Sequence, residues 1–322
     1  MKRLGILLMA LFLEAALFTA ISGQQFHSVS DFFSYEHNYI ADLVAQAAPT
    51  LLLGFGMTLV LMTAGIDLSV GSMVALVSCV MSSFPAGGGF WWMALPAGLA
   101  VGLAAGLLNG FLIARLDVPP IIATLGTMIF YRGLCFVVMG DLERSPFLDV
   151  PGYEALGRFG MSAVLLLLVF GIGGAYFTHS VWRRELLMLG GNRIAARYAG
   201  IRVERRTIQV YALMGLLAFL AAVAFTARNG SVSASSLTGL ELHVIVAVVL
   251  GGTKVQGGSA SLLGTVFGVL FIAVLEEGLR GAALWGSRTL PFRISHLEYV
   301  LLGLLLVFGV LLNNALSRKA SA

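Results

Sequence analysis

This chain is short of charge, of cysteine and of any grouped set of metal ligands. Only 11% of its 322 residues are Asp, Glu, Lys or Arg, against about a quarter in a typical soluble domain. A water-soluble globule of this length is thereby excluded. The two cysteines, Cys79 and Cys135, sit inside apolar segments. No structural disulfide is expected of them, and both read as small apolar packing residues. The five histidines are scattered, and there is no HExxH pair. No phosphate-binding GxxxxGK[ST] loop is present: Gly251-Gly252-Thr253-Lys254 lacks the spacing, and no strand leads into it. The chain therefore offers no ATP site of its own. Ten-residue alternating segments of the outer-membrane barrel kind are also missing. Ser72 and His243 form no convincing protease arrangement with other residues in the apolar segments. Carboxylates are sparse in mid-span, where proton or sodium carriers keep them. Glu14, Asp67, Glu241, Glu276 and Glu277 lie mostly near span ends. Energy for any transport is expected to come from another chain.

What is present is hydrophobicity: 58% of residues are apolar and the mean hydropathy is +0.93. Runs near twenty residues recur, each able to cross ~30 Å of hydrocarbon as a helix. Ten candidate segments lie at 3–22, 42–64, 69–84, 91–114, 119–139, 161–179, 207–227, 240–251, 260–278 and 294–313. Gly65-Ile66-Asp67, Pro85 with Gly87-Gly88-Gly89, Pro119-Pro120 and Gly257-Gly258 separate them. The expected fold is an all-α polytopic membrane protein, one domain over 1–322, with about ten transmembrane helices, some short or broken. The 240–251 segment is too short to span and reads as a broken or re-entrant helix. Met1-Lys2-Arg3 and the run from Leu4 to Ile21 read as a retained first helix, since the run is long for a signal peptide and Glu14 interrupts it.

Ten crossings return both termini to one side. With the N-terminus inside, the inner side collects thirteen of the twenty basic residues: Lys2, Arg3, Arg115, seven arginines between 183 and 206, Lys254, Arg318 and Lys319. The positive-inside rule then makes both termini cytoplasmic. The net charge of +4 reflects these span ends, not a nucleic-acid surface. Glycine supplies 39 residues. The stripe Gly98, Gly102, Gly106, Gly110 repeats every four residues and lets helix backbones approach closely. Gly65-x5-Gly71-Ser72 and Gly252-x5-Gly258-Ser259 share a spacing, an echo short enough to be coincidence.

The longest water-compatible interruption runs from Arg183-Arg184 through Leu189-Gly190-Gly191-Asn192 to Arg205-Arg206. Asn192 suits an N-cap and Gly200 a C′ position, so Arg193 to Ala199 is expected to form two helical turns. Ala195, Ala196 and Ala199 would give it a small, approachable face. A helix this short is marginal in water. A soluble partner surface would hold it; a basic loop resting on lipid head groups is the plain alternative.

The motifs themselves resemble a known family. The segment from Leu189 to Ile201 is similar to the ATPase-coupling segment of ribose-type sugar ABC importer permeases. Ala64-Gly65-Ile66-Asp67-Leu68-Ser69-Val70-Gly71-Ser72 resembles their GGIDLSVGS signature, with Ala64 for the first glycine. Gly106-Leu107-Leu108-Asn109-Gly110 resembles GxxNG, and Pro120 to Thr127 resembles PxFIxTLGT. Thr238 to Leu242 and Ala247 to Thr253, ending in Gly257-Gly258, resemble GxELxxIAAVVLGGTxxxGG. The similarity covers nearly the whole chain. It implies a permease subunit of the inner membrane, paired with a second copy or a sister permease. A cytoplasmic ATPase dimer would carry ATP and Mg, none being held by this chain. A periplasmic binding protein would deliver a monosaccharide or related polyol. Coupling would fall to Gly190, Gly191, Asn192, Arg193, Ala196, Arg197 and Gly200. Asn109, Thr124, Thr127 and His243, polar in or near apolar spans, are expected to face the pathway. Arg144, Arg158, Arg280 and Arg288 are candidates for docking the binding protein. Two departures stand out: His243 where an Asp or apolar residue is common, and Glu276-Glu277 where Asn or Gln pairs are common. A branched-chain amino-acid permease, or an ion-coupled carrier or non-transporting membrane scaffold, are the competing readings.

Overall fold

The computed structural model describes residues 39–84, 91–145, 150, 152–286, 300–309 and 311. The segment expected at 3–22 and parts of that at 294–313 lie outside them. Eleven helices occur among the described residues. They are α1 (Tyr39–Met62), α2 (Val70–Met81), α3 (Ala94–Arg115), α4 (Pro120–Met139), α5 (Phe159–His179), α6 (Val181–Gly191), α7 (Arg193–Tyr198), α8 (Val203–Asn229), α9 (Leu240–Leu250), α10 (Leu262–Gly286) and α11 (Val300–Gly309). Six of them, α1, α3, α4, α5, α8 and α10, are long and apolar enough to cross a membrane. The chain is a multi-pass, essentially all-helical membrane protein.

The breakers act as their chemistry dictates. Pro120 sits in the first turn of α4, where its missing N–H costs nothing. Gly230 closes α8 with φ +71°. One feature departs from expectation: α5, read as an unbroken span, contains a π-helical stretch at Leu167–Gly173. The helices form an inner and an outer set. In its most apolar stretch α1 has 83% of residues buried, whereas α5 has 11% and α4 28%. The outward faces of α4 and α5 suit lipid or a second membrane chain.

The expected glycine stripe makes a close seam. A Cβ on Gly102 would lie 2.7 Å from the Gly215 carbonyl of α8, and one on Gly110 would lie 2.9 Å from the Ile208 Cα. Gly106 sits against the Tyr211 carbonyl with no room for a side chain. As α3 is followed forward from Gly98 to Gly110, its partners on α8 run back from Phe219 to Ile208, so the two are antiparallel. Asp42 to Arg228 and Gly65 to Tyr211 make α1 and α8 antiparallel too. These pairings define two ends. Arg115, Asp117 and the arginine-rich α6–α7 region share one end, through the Arg193–Asp117 pair. Arg158, Arg228 and Asp42 share the other. Among the described residues, Arg115 and the arginines of 183–206 thus lie at one end and Arg158 and Arg228 at the other.

Two apolar helices are too short to cross. α9 has 11 residues, about 16 Å of rise, and α2 has 12, about 18 Å. The first was expected to be broken. The second covers most of the 69–84 candidate: its helix starts at Val70, as the breaker at Gly65-Ile66-Asp67 predicts, and ends three residues early, at Met81. The Gly65/Gly252 echo is not a structural repeat: Gly252 and Gly258 have positive φ and Gly65 does not.

Candidate coupling site

The basic segment is built from its caps inward. Ser180 Oγ accepts the Arg183 N–H at 3.2 Å and starts α6. Asn192 is extended, and its Oδ1 accepts the N–H groups of Ile194 (3.0 Å) and Ala195 (2.9 Å). Gly200, at φ +81°, turns the chain out of α7. The alanine face does not form as expected. Ala196 is buried in a small core with Leu189, Ile201 and Val203. A six-residue helix needs an inward anchor, and only a small side chain fits this one. The outward stripe is instead Ile194, Ala195, Tyr198 and Ala199, with Tyr198 89% exposed.

Six of the seven arginines fall into two groups, Arg183 being half-buried. Arg193 reaches Asp117 at 3.9 Å, Arg197 pairs with Glu204, and Arg206 pairs with Glu185. These three brace the segment against α6, α8 and the loop after α3. Arg184, Arg202 and Arg205 are exposed to solvent.

Beneath this segment three loops meet backbone to backbone. A Cβ on Gly190 would overlap the Met62 carbonyl and lie 2.8 Å from the Gly258 nitrogen. That nitrogen donates to the same Met62 carbonyl at 3.1 Å. Gly257, at φ +85°, lies where a Cβ would stand 2.8 Å from both the Ala64 nitrogen and the Gly190 carbonyl. The junction accounts for Gly190, Gly257 and Gly258, whereas Gly65 packs against the Tyr211 hydroxyl and Val60. Gly191 has open space around it, so packing does not require glycine there.

The loop before α2 is held from inside. Asp67 Oδ1 accepts the Ser69 N–H (2.9 Å) and Oγ–H (2.6 Å). Asn109 Nδ2 donates to Ser69 Oγ at 2.8 Å, and the Tyr131 hydroxyl donates to the Ala105 carbonyl nearby. Thr124 Oγ1 donates to the Ile66 carbonyl at 3.0 Å, and Thr127 to the Thr124 carbonyl at 3.2 Å. The structure thus brings three of the four expected pathway residues together around the Asp67 loop. All three are buried within the single chain. Ser69 and Tyr131, which complete this network, were not singled out in the sequence; a hydroxyl and a phenol facing a carboxylate leave no local pattern.

His243 stands apart. Its Nδ1 lies 2.9 Å from the Gly239 carbonyl, which can only accept, so Nδ1 carries a proton. Its Nε2 lies 3.3 Å from Glu276 Oε1. The two departures from the family pattern are therefore partners, joining α9 to α10. Nearby, Arg132 donates to the Ala234 and Ser236 carbonyls at 2.7 and 2.8 Å, fixing the loop that leads into α9.

At the opposite end, Arg144 pairs its backbone with Val232 and donates to Ser83 Oγ at 3.3 Å. Arg158 bonds Glu154 at 2.7 Å on an exposed turn. A cavity of about 440 Å³ opens there, lined by Asp42, Glu154, Arg158, Phe159 and Arg228. Its carboxylates make the surface mixed in charge, not purely basic as the docking arginines alone suggested. Nothing is described of the Arg280 side chain, and Arg288 lies outside the described residues. Cys79 and Cys135 are free thiols, both buried, carried on α2 and α4.

Comparison with known proteins gives one family. The model for the branched-chain amino acid transport system / permease component matches residues 39–310. The ribose import permease protein RbsC of Bacillus subtilis (strain 168) is 35% identical over 288 residues, covering 88% of this chain and 85% of that protein. RbsC of Escherichia coli (strain K12) is 36% identical over 249 residues, covering 75% and 78%. The fructose import permease protein FrcC of Rhizobium meliloti is 32% identical over 299 residues, covering 87% and 78%.

Proposed function

The chain belongs to this family of transport-system permease components, and we propose that it is the membrane-spanning subunit of an ATP-driven importer of a monosaccharide or related polyol. The observation that carries the reading is the similarity to ribose and fructose import permeases over three quarters or more of the chain. The junction at Gly190, Met62 and Gly257-Gly258 supports it mechanically. It gives a capped surface helix a rigid backbone connection to both short membrane helices, as a coupling element requires.

In this reading a cytoplasmic ATPase dimer, carrying ATP and Mg, engages α7 through Ile194, Ala195, Tyr198 and the free Arg202 and Arg205. Gly190, Asn192, Ala196 and Gly200 set the shape of that helix, while Arg193 and Arg197 brace it. The chain lies in the inner membrane with both termini cytoplasmic and pairs with a second permease chain through outward helix faces. A periplasmic binding protein docks at the opposite end, near Arg144, Arg158 and the mixed-charge cavity. His243 faces the pathway side of α9, and Asn109, Thr124 and Thr127 hold the Asp67 loop from behind.

The test is uptake of labelled pentoses, hexoses, polyols and branched-chain amino acids by the chain assembled with its ATPase, partner permease and binding protein. Uptake of one sugar that stops when the ATPase is inactivated supports the reading. ATP-driven amino-acid uptake would move the substrate class to the one in the family's description. Uptake independent of the ATPase, or none from an assembled complex, would overturn it.

A further inference from the structure

Three polar atoms, Asp67 Oδ2, Tyr211 Oη and Arg193 Nη2, are buried near the glycine junction with no hydrogen-bond partner among the described residues. They come from three elements: the loop before α2, the long helix α8, and the surface helix α7. Tyr211 is held in place by glycines of two motifs. Its backbone carbonyl is seated on Gly106, and its hydroxyl lies where a Cβ on Gly65 would be only 2.7 Å away. The charges of Asp67 and Arg193 both act on that hydroxyl. Arg193 reaches its other partner, Asp117, only at 3.9 Å, so its guanidinium is loosely tied.

The three atoms are complementary in kind. A carboxylate oxygen accepts, a phenol both donates and accepts, and a guanidinium donates. Leaving such groups buried and unpaired is costly, and unpaired buried groups in native proteins call for an explanation. Here they sit between the helix that meets the ATPase in the proposed reading and the loop that starts α2.

We propose that Tyr211 is a hydrogen-bond relay between the coupling helix and α2, its hydroxyl donating to Asp67 Oδ2 and accepting from Arg193 Nη2 when the ATPase closes on α7. The inference rests on the importer reading above. Arg193 is the first residue of α7, so a small displacement of that helix moves its guanidinium directly. Tyr211 cannot translate with it, because its backbone is pinned against α3. The motion is therefore read at the hydroxyl, and through Asp67 and Ser69 at the start of α2. Tyr211 and Asp67 are positioning residues in this scheme; neither touches substrate.

Tyr211→Phe removes the hydroxyl and little else. Thermal unfolding of the isolated full chain and ATP-driven uptake by the assembled transporter are measured side by side, with Asp67→Asn as the second variant. The relay predicts a melting temperature equal to or above wild type in Tyr211→Phe, since no bond is lost in the resting chain. It predicts uptake about tenfold lower, with ATP hydrolysis retained, the factor that one hydrogen bond is worth. Asp67→Asn keeps the Ser69 contacts and is expected to show the same split. Wild-type uptake in Tyr211→Phe overturns the relay and leaves the importer reading intact. A fall in melting temperature that parallels the loss of uptake also overturns it, since the hydroxyl would then be bonded in the resting chain. A second readout is the 13Cζ signal of Tyr211 in nanodiscs, identified by its loss in Tyr211→Phe. It should shift when the ATPase is trapped with ATP, and no shift overturns the relay. ATP-independent uptake by the wild type would sink the importer reading instead.

Discussion

The two short helices α2 and α9 are alike in length and composition but are anchored by opposite chemistry. The start of α2 is held by fully buried hydrogen bonds, from Asp67 to Ser69 to Asn109, with Thr124 gripping the Ile66 carbonyl. The start of α9 is held by charge: Arg132 on the preceding carbonyls, and His243 against Glu276. The first network contains no cation and is closed to solvent. The second is partly exposed and contains a pair that needs one proton between its members, because Nδ1 is already committed to Gly239. Burial without a cation makes an anchor that depends on every bond in it. An anchor that is not fully buried can exchange partners at lower cost. One anchor is sealed and its bonds change only together; the other is adjustable.

The most damaging change strikes the support common to both. Gly190→Val forces a branched side chain into the Met62 carbonyl and the Gly258 backbone, neither of which can yield as a side-chain tip would. The loss is expected to exceed ~3 kcal/mol, read as a collapse in yield and melting temperature in detergent. A near-normal melting temperature would show that the three-loop junction is not rigid. Next comes the buried anchor of α2. Asn109→Leu removes the Ser69 bond and leaves a hydroxyl and carboxylate underbonded, at about 2–4 kcal/mol. A cost below about 1 kcal/mol would erase the contrast with α9.

The adjustable anchor gives a finer test. His243→Asp and Glu276→Asn, singly, each break the pair at about 1–2 kcal/mol. Together they restore the residues common in the family and are expected to recover most of the loss. The coupling is read from a double-mutant cycle, and simple additivity would mean the 3.3 Å contact carries no energy. The smallest effect belongs to the exposed turn at the far end. Arg158→Ala breaks an i,i+4 pair whose side chains are about 70% exposed, worth roughly 0.3–0.5 kcal/mol at most. Its melting temperature should match wild type. If Arg158 docks a binding protein, uptake falls and the fall grows with ionic strength.

Legibility in the sequence followed the physics of each feature. Long apolar runs located α1, α3, α4, α5, α8 and α10, because hydrocarbon demands self-satisfied helical backbone wherever the chain avoids water. Caps located α7, because Asn192 and Gly200 act within a few residues of themselves. The glycine stripe announced a tight seam, though not that its partner would be α8. The early end of α2 at Met81 was not legible: hydropathy reports which residues avoid water, not where helical hydrogen bonding stops. Asn109, Thr124 and Thr127 were read as pathway residues because a polar group in an apolar span must be satisfied. Water and a neighbouring loop satisfy it equally well, and only the fold shows Asn109 and Thr124 bonded to the Asp67 loop, while Thr127 bonds within its own helix.

The sequence by itself determined that this protein lives in a membrane, where its longest apolar runs and its basic segment lie, and which family it joins. These follow from composition and local motif, which need no knowledge of distant neighbours. Tertiary structure alone decided that Gly190, Met62 and Gly258 share one contact, that His243 meets Glu276, and that the Tyr211 hydroxyl lies against Gly65 beside the Asp67 loop. Each joins residues far apart in the chain, and such contacts are fixed by how whole helices pack rather than by any preference of the residues themselves.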